Sequence, residues 1–228
     1  MPKPTFFALP AERRDRLVRE AIAEFSERSY ADASLSQIAQ RSQIPKGSFY
    51  QYFEDKVDLY RWLVTEEAPR HKREFLAAAG PSNGDYWADF EELVERGMAF
   101  LVEHPRLARL TAAAADPTAS AEVRGLHAAI CEAGIDEFRA LLERGVEAGA
   151  IRAPGMNLDV AARLVAAVIG PGLTDVVLRE LDADLHEVLA SDSLRKKLGP
   201  TRRRRLAHQA TLLIQGGLGA APPGKKRT

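Results

Sequence analysis

One cysteine, two tryptophans, five histidines and no net charge across 228 residues exclude several chemistries at once. Cys131 alone cannot form an intramolecular disulfide, and a single thiol excludes a cysteine-rich zinc site. His71, His104, His127, His186 and His208 contain no His-x-x-x-His pair, so no metal site is indicated. A P-loop, a Gly-x-Ser-x-Gly elbow and a dinucleotide fingerprint are all missing, so the sequence points to no enzyme and to no cofactor. The opening MPKPTFFALPAERR has neither the basic start nor the long apolar run of a secretory signal. The most apolar stretch, Val160 to Leu178, carries Arg163, Pro171 and Asp175, poor content for the roughly 20 residues that cross a bilayer. A cytoplasmic chain without a membrane partner is expected.

What is present is an ordinary globular composition, 46% hydrophobic, with 32 basic residues balanced by 32 acidic ones. The balance hides a gradient: residues 1–61 hold 10 bases and 9 acids, residues 62–194 hold 12 and 23, and residues 195–228 hold 10 and none. Ala, Leu, Glu and Arg recur at helical period and no run alternates β-branched residues, so the fold class is all-α. The first helix is expected from Pro10 to about Arg28–Tyr30, with Leu17, Ala21, Ile22 and Phe25 on its inner face. Ser34 and Gln37 have capping-box spacing for a second helix ending by Arg41, and Pro45 opens a third that reaches about Tyr52. A fourth runs from Glu54 or Asp55 to about Ala79, before the Gly80-Pro81-Ser82-Asn83-Gly84 break. Further helices are expected at about 85–104, 105–115, 120–148, 158–181, bent at Pro171, and 201–218.

Two short helices joined by Ser42-Gln43-Ile44, with Leu35, Ile38, Ala39, Ile44 and Phe49 turned inward, have the spacing of a helix-turn-helix. The second of them adds the chemistry of a recognition helix. Lys46 can reach guanine acceptors or a phosphate, Gly47 lets the helix approach a duplex closely, and the hydroxyls of Ser48, Tyr50 and Tyr52 can donate to phosphate oxygens. Phe49 and Phe53 are expected in the core, and the acids Glu12, Asp15, Glu20 and Glu24 are expected to face away from DNA.

The stretch Ala33-Ser34-Leu35-Ser36-Gln37-Ile38-Ala39, then Ile44-Pro45-Lys46-Gly47-Ser48-Phe49-Tyr50-Gln51-Tyr52-Phe53, then Asp55-Lys56 and Leu59-Tyr60, resembles the DNA-binding pattern of the TetR family. The resemblance implies an N-terminal three-helix domain, residues 1–54, a larger helical effector-binding and dimerisation domain, residues 55–219, and leaves 220–228 as a basic tail. It places Ser34 and Ser36 at the start of the second helix, Lys46, Gly47 and Ser48 at the groove, and Tyr50, Tyr52 and Lys56 on phosphates. Two positions depart from the family. Gln43 stands where Gly is usual, at a cost of about 1 kcal/mol if the backbone is left-handed there. Pro45 replaces a Ser cap worth about 1 kcal/mol.

The family also implies a cavity for a small, largely apolar effector among the central helices. Helical spacing and polarity select Trp62, Glu66, Phe90, Met98, His127, Cys131 and Phe138 as its lining, although such side chains also simply fill a bundle core. Gly97, Gly125, Gly134 and Gly145 would leave room for a ligand or permit close helix packing. The apolar stripes of the last two long helices, with Leu164, Val168, Val176, Leu206, Ala210, Leu213 and Ile214, fit a four-helix homodimer interface as in the family. Arg202 to Arg205 read as a solvated helix entrance or as partners of the acidic segment, with a nucleic-acid role as the alternative. The expected function is a ligand-responsive homodimeric repressor of a pseudo-palindromic DNA operator, in which effector binding shifts the fourth helix. The rival is a helical small-molecule carrier that has lost DNA binding.

Overall fold

A computed structural model describes residues 1–78, 84–114, 121–152 and 154–218, and these residues form two compact units. The Gly80–Asn83 part of the expected break and the 220–228 tail lie outside the described residues.

The first unit comprises Met1–Glu74 with Glu103–Ile130. Its helices are α1 (Pro4–Phe7), α2 (Ala11–Glu27), α3 (Leu35–Arg41), α4 (Lys46–Phe49) and α5 (Lys56–Trp62), followed by a π-helical turn at Leu63–Glu67, the start of α6 (Ala68–Ala77), α8 (Pro105–Ala113) and the start of α9 (Ala121–Glu147). The expected boundary after residue 54 therefore falls inside this unit. Leu17, Ala21 and Phe25 of α2, Ile38 and Ala39 of α3, and Phe49 and Phe53 make its core, as the helical period requires. α8 packs on α2 and extends that core with Leu107 and Leu110. Tyr60 ties α5 to the same place: its ring lies 5.0 Å from Phe25, and its hydroxyl donates to the Leu110 carbonyl at 3.2 Å.

Glu24, one of the acids expected to face away from DNA, lies in the interior, its side chain wholly buried. One carboxylate oxygen accepts the Ser34 N–H at 3.0 Å, and the guanidinium groups of Arg28 and Arg41 lie at 3.4 and 3.2 Å. This arrangement also explains why the capping box is only half formed. The Ser34 hydroxyl accepts from Gln37 N–H at 3.4 Å, but the Ser34 N–H belongs to Glu24, and the Gln37 side chain accepts from Arg41 instead, at 3.0 Å.

The second unit comprises Phe75–Val102 and Cys131–Thr228, with α7 (Tyr86–Glu103), the rest of α9, α10 (Leu158–Ala167), a π-helical turn at Val168–Gly172, α11 (Leu173–Leu181), α12 (Leu185–Ala190), α13 (Asp192–Lys197) and α14 (Pro200–Leu218). Pro171 lies within the π-turn, where it interrupts rather than ends the helix. Phe90, Val94 and Met98 meet Leu142, Val165, Leu173, Val177, Leu206, Ala210 and Ile214 in one core. Arg203 reaches into its edge, donating to Glu95 at 2.7 Å and to the Leu198 carbonyl at 3.0 Å. Arg202 and Arg205 pair with Glu180 at 3.5 and 2.6 Å, so three of the four arginines serve the acidic segment. Gly145 is a close-packing glycine, since a Cβ there would lie 2.6 Å from both Tyr86 and Ile151.

Three short helices were not expected. Asp184 and Glu187 form a complete capping box on α12, and Ser191 caps α13, so the signals for both are present in the sequence. α1 has only Pro4 to announce it.

Two outcomes follow for stability. Glu24→Ala removes a buried acceptor with three partners and is expected to cost about 2–3 kcal/mol in denaturant unfolding, discounted for the exposure of both arginines, whereas Glu24→Gln keeps an acceptor for Ser34 and costs less. Burial pushes the Tyr60 phenol up to about 12 from 10.0. The folded state therefore resists ionisation that the unfolded chain accepts, so this contribution is intact below pH 10 and is lost between pH 10 and 12. Thermal unfolding across that window should show a shallower loss in Tyr60→Phe than in the parent.

Candidate nucleic-acid interface

The α3–α4 junction is set by backbone conformation. Gln43 has φ 58°, so the left-handed residue the turn requires is present despite the absence of glycine. Its side chain is held from outside: Arg16 donates to the Gln43 amide oxygen at 2.5 Å while also pairing with Glu12 at 3.0 Å. Ser42 is buried, and its hydroxyl donates to the Ile38 carbonyl at 2.6 Å, closing the end of α3. Pro45 precedes α4 without a side-chain cap, as its chemistry dictates.

α4 is shorter than expected. Regular α-helical geometry ends at Phe49, and Gln51 and Tyr52 donate to the carbonyls of Ser48 and Phe49 at 3.0 and 2.9 Å, the tighter bonding of a helix that is running out. The expected recognition residues nevertheless share one short segment. Lys46 and Gly47 are exposed, Ser48 and Tyr52 half-buried, and Tyr50 is 52% exposed, while Phe49 and Phe53 on the other side are buried and stack at 5.6 Å. A Cβ on Gly47 would meet no atom of the chain within 4 Å, so the protein's own packing does not demand glycine there. Ser36 is exposed at the start of α3, and Ser34 is the cap of that helix.

Lys56 departs from the expected phosphate role. Its ammonium donates to the carbonyls of Tyr30, Ala31 and Ala33 at 2.8, 3.0 and 3.2 Å and lies 4.7 Å over the Tyr30 ring. All three donors are engaged in fastening the loop after α2 to the start of α5. The sequence shows a lysine at the family's position, but not the carbonyls that fold back onto it.

The expected effector residues divide between the two units. Trp62 is buried in the first unit against Phe6 and Phe53, with ring separations of 5.1 and 5.9 Å, and so belongs to the core beneath the helix-turn-helix. Glu66 is exposed in the π-turn and His127 is half-buried, both in the first unit. Phe90 and Met98 are core residues of the second unit, Phe138 packs partly buried against that core, and Cys131 is exposed. A recess of about 400 Å³ in the second unit is lined by Ala88, Glu91, Glu92, Glu95 and Arg204, none of them among the seven.

The dimer residues divide by face. Leu206, Ala210 and Ile214 are buried in the second unit's own core, and Val168 is half-buried against it. Leu164 and Leu213 are 63% and 67% exposed, and Val160, Val176 and Leu212 join them at the surface. Periodicity marked α14 as apolar without showing which of its two apolar faces the bundle takes. The helical stretch Leu158–Leu181 is long and apolar enough to cross a membrane by length and composition, and only 28% of its most apolar window is buried.

The left-handed residue offers a direct check on the turn. Gln43→Val places a β-branched side chain at positive φ and should lower stability by about 1–2 kcal/mol, while Gln43→Gly should be close to neutral; paired urea titrations of the two variants distinguish them.

Comparison with known proteins agrees with this geometry. Residues 17–62, which run from α2 through α5, match the tetR family of bacterial regulatory proteins. An HTH-type transcriptional regulator of Bacillus subtilis (strain 168), YdgC, is 38% identical over 55 residues, a match that spans 24% of this chain and 28% of that relative. A TetR family transcriptional regulator from Chloroflexus aurantiacus J-10-FL superposes with a TM-score of 0.64 at 28% identity, covering 97% of this chain and 100% of that one. The fold is also shared, at 18% identity and a TM-score of 0.57 over 81% of this chain and 96% of the other, with FadR of Bacillus subtilis, whose structure is a complex with stearoyl-CoA. The N-terminal segment is thus similar to that of the tetR family of bacterial regulatory proteins, and the chain shares the fold of a TetR family transcriptional regulator along nearly its whole length.

Proposed function

We propose that the protein is a cytoplasmic, non-enzymatic, ligand-responsive repressor that binds a pseudo-palindromic operator as a homodimer. The observation that carries the DNA-binding reading is the exposed, short segment Lys46–Tyr52, set on a buried aromatic base by a left-handed turn at Gln43. Lys46 supplies a cation for guanine or phosphate, Tyr50 an exposed hydroxyl, and Gly47 an open surface over which a duplex can approach. Gln43, Pro45 and the near-neutral N-terminal segment are the features that favour a carrier that has lost DNA binding; of these, the left-handed backbone at Gln43 keeps the turn that a helix-turn-helix requires and so supports the repressor reading.

The dimer reading rests on exposed apolar area. Val160, Leu164, Val176, Leu212 and Leu213 all project from α10, α11 and α14, where a monomer gains nothing by leaving them in water. Two copies joined through these helices would bury them in a four-helix packing. Recognition segments would then face successive major grooves, about 34–36 Å apart or somewhat more.

The effector is proposed to be small and largely apolar, by likeness of fold to FadR, whose structure holds stearoyl-CoA. By linkage it binds the DNA-incompetent dimer more tightly, and a coupling of about 1–3 kcal/mol would weaken operator binding about 5- to 150-fold.

Four variants test these statements. Lys46→Ala and Tyr50→Ala should each weaken operator binding about tenfold at fixed salt with unchanged thermal unfolding; unchanged affinity in both would contradict the assignment of the interface. Gly47→Ala separates function from stability, because helix propensity improves by up to about 1 kcal/mol while operator affinity falls. Leu213→Glu should yield monomers in light scattering, and a variant that remains dimeric would remove α14 from the interface.

A further inference from the structure

The residues ahead of α2 make specific contacts with the far end of the recognition segment. A helix end leaves its last carbonyls to water or to a cap, and here three consecutive ones are met by the N-terminal residues. The Lys3 ammonium donates to the Tyr50 carbonyl at 3.0 Å, the Thr5 hydroxyl donates to the Gln51 carbonyl, and the Lys3 backbone N–H donates to the Tyr52 carbonyl at 2.8 Å. Phe6, the next residue along, is fully buried with its ring 5.1 Å from Phe53 and 5.1 Å from Trp62. The donors are thus anchored directly into the core beneath the segment they cap. Lys3 has φ −74° and ψ 156°, an extended residue leading into Pro4, so the backbone that presents these donors is itself restricted.

The need for such a strap follows from the length of α4. Four residues of α-helix make too few internal bonds to hold a conformation unaided. Phe49 and Phe53 fix the buried side, but the carbonyl end that carries Tyr50 and Tyr52 leans toward solvent. A hinge of a few degrees at Phe49 would move the Tyr50 hydroxyl relative to Lys46 without disturbing the core.

We propose that Lys3–Phe6 is a positioning strap for the recognition segment, which lets Lys46, Ser48 and Tyr50 discriminate between DNA sequences although the strap itself reads no base. This rests on the DNA-binding reading above. Loss of the strap lowers sequence discrimination rather than phosphate affinity, because Lys46, the one exposed cation of the segment, stays at the start of α4 while the groups beyond it that test base edges lose their fixed spacing.

The test uses the full chain, the operator duplex selected by the parent protein, and a scrambled duplex of equal length, with affinities read by fluorescence anisotropy at one salt concentration. Thr5→Val removes one donor at constant shape and charge. Lys3→Pro suits the observed φ and removes both of the other donors, and Lys3→Met, which keeps the backbone N–H, controls for the lost charge. The double variant Lys3→Pro with Thr5→Val is expected to lose about tenfold or more in the ratio of operator to scrambled affinity, beyond any loss in Lys3→Met. Faster amide exchange at Gln51–Phe53 and little change in the melting of the rest of the protein should accompany that loss.

An operator-to-scrambled ratio within twofold of the parent overturns the proposal, and so does a proportional fall of both affinities, which would reduce the strap to charge or bulk stability. If the double variant does not fold, Thr5→Val alone carries the same comparison with a smaller expected loss. A parent protein that cannot distinguish the two duplexes would instead overturn the DNA-binding reading, and the strap with it.

Discussion

The buried carboxylate of Glu24 is the constraint on which the helix-turn-helix depends. A charge without access to water requires partners, and the available ones come from both ends of α3: the Ser34 N–H at its start and the Arg41 guanidinium at its finish. Holding one carboxylate of α2 between a hydrogen bond at the start of α3 and an ion pair at its end thereby ties α3 to α2 at both ends. The turn that follows inherits that placement. Arg16, also on α2, holds the Gln43 amide, so the same helix supports the left-handed residue from which α4 departs. Lys56 closes the arrangement from the other side by gathering three carbonyls of the loop that joins α2 to α3. Polar contacts thus determine orientation here, while Leu17, Phe25, Ile38, Phe49 and Phe53 supply the buried area beneath them.

The second unit follows the opposite logic. Its core is almost entirely aliphatic and aromatic, with Arg203 and Glu95 paired at one edge, and its outer helices carry more apolar surface than that core can cover. The same excess gives Leu158–Leu181 the length and composition of a membrane span, yet the π-turn around Pro171 and the charges Arg163 and Asp175 suit a helix that packs on protein. The charge gradient along the chain has a local resolution as well. Arginines at the start of α14 meet Glu95 and Glu180 of the acidic middle segment, so much of the basic excess is matched within the unit.

Much of this was legible in the sequence, wherever a local rule decides the outcome. Helix starts followed their caps and prolines, with Asp55, Asn157 and Pro105 at or beside the expected positions. The positive φ at Gln43 follows from the spacing of the turn, whatever residue occupies it. What escaped depends on which distant group a side chain meets. Glu24 reads as one more acid on an amphipathic helix until α3 folds over it. Trp62 reads as a pocket aromatic until Phe6, from a helix too short to show a period, packs against it. Leu206, Ala210 and Ile214 cannot be separated from Leu212 and Leu213 by hydrophobicity, because both sets are apolar and only the bundle decides which set it buries. The effector lining was the least legible part, since aromatic and sulfur side chains at helical spacing fill a core as readily as they line a cavity.

The most direct measurement is selection from a randomised duplex library by the purified protein at near-physiological salt, with sequencing of the bound DNA through successive rounds. A sequence-specific dimer predicts enrichment of one site with two-fold symmetry and half-sites spaced by about a helical turn or somewhat more. A folded, dimeric protein that enriches no sequence would contradict operator recognition by Lys46–Tyr52.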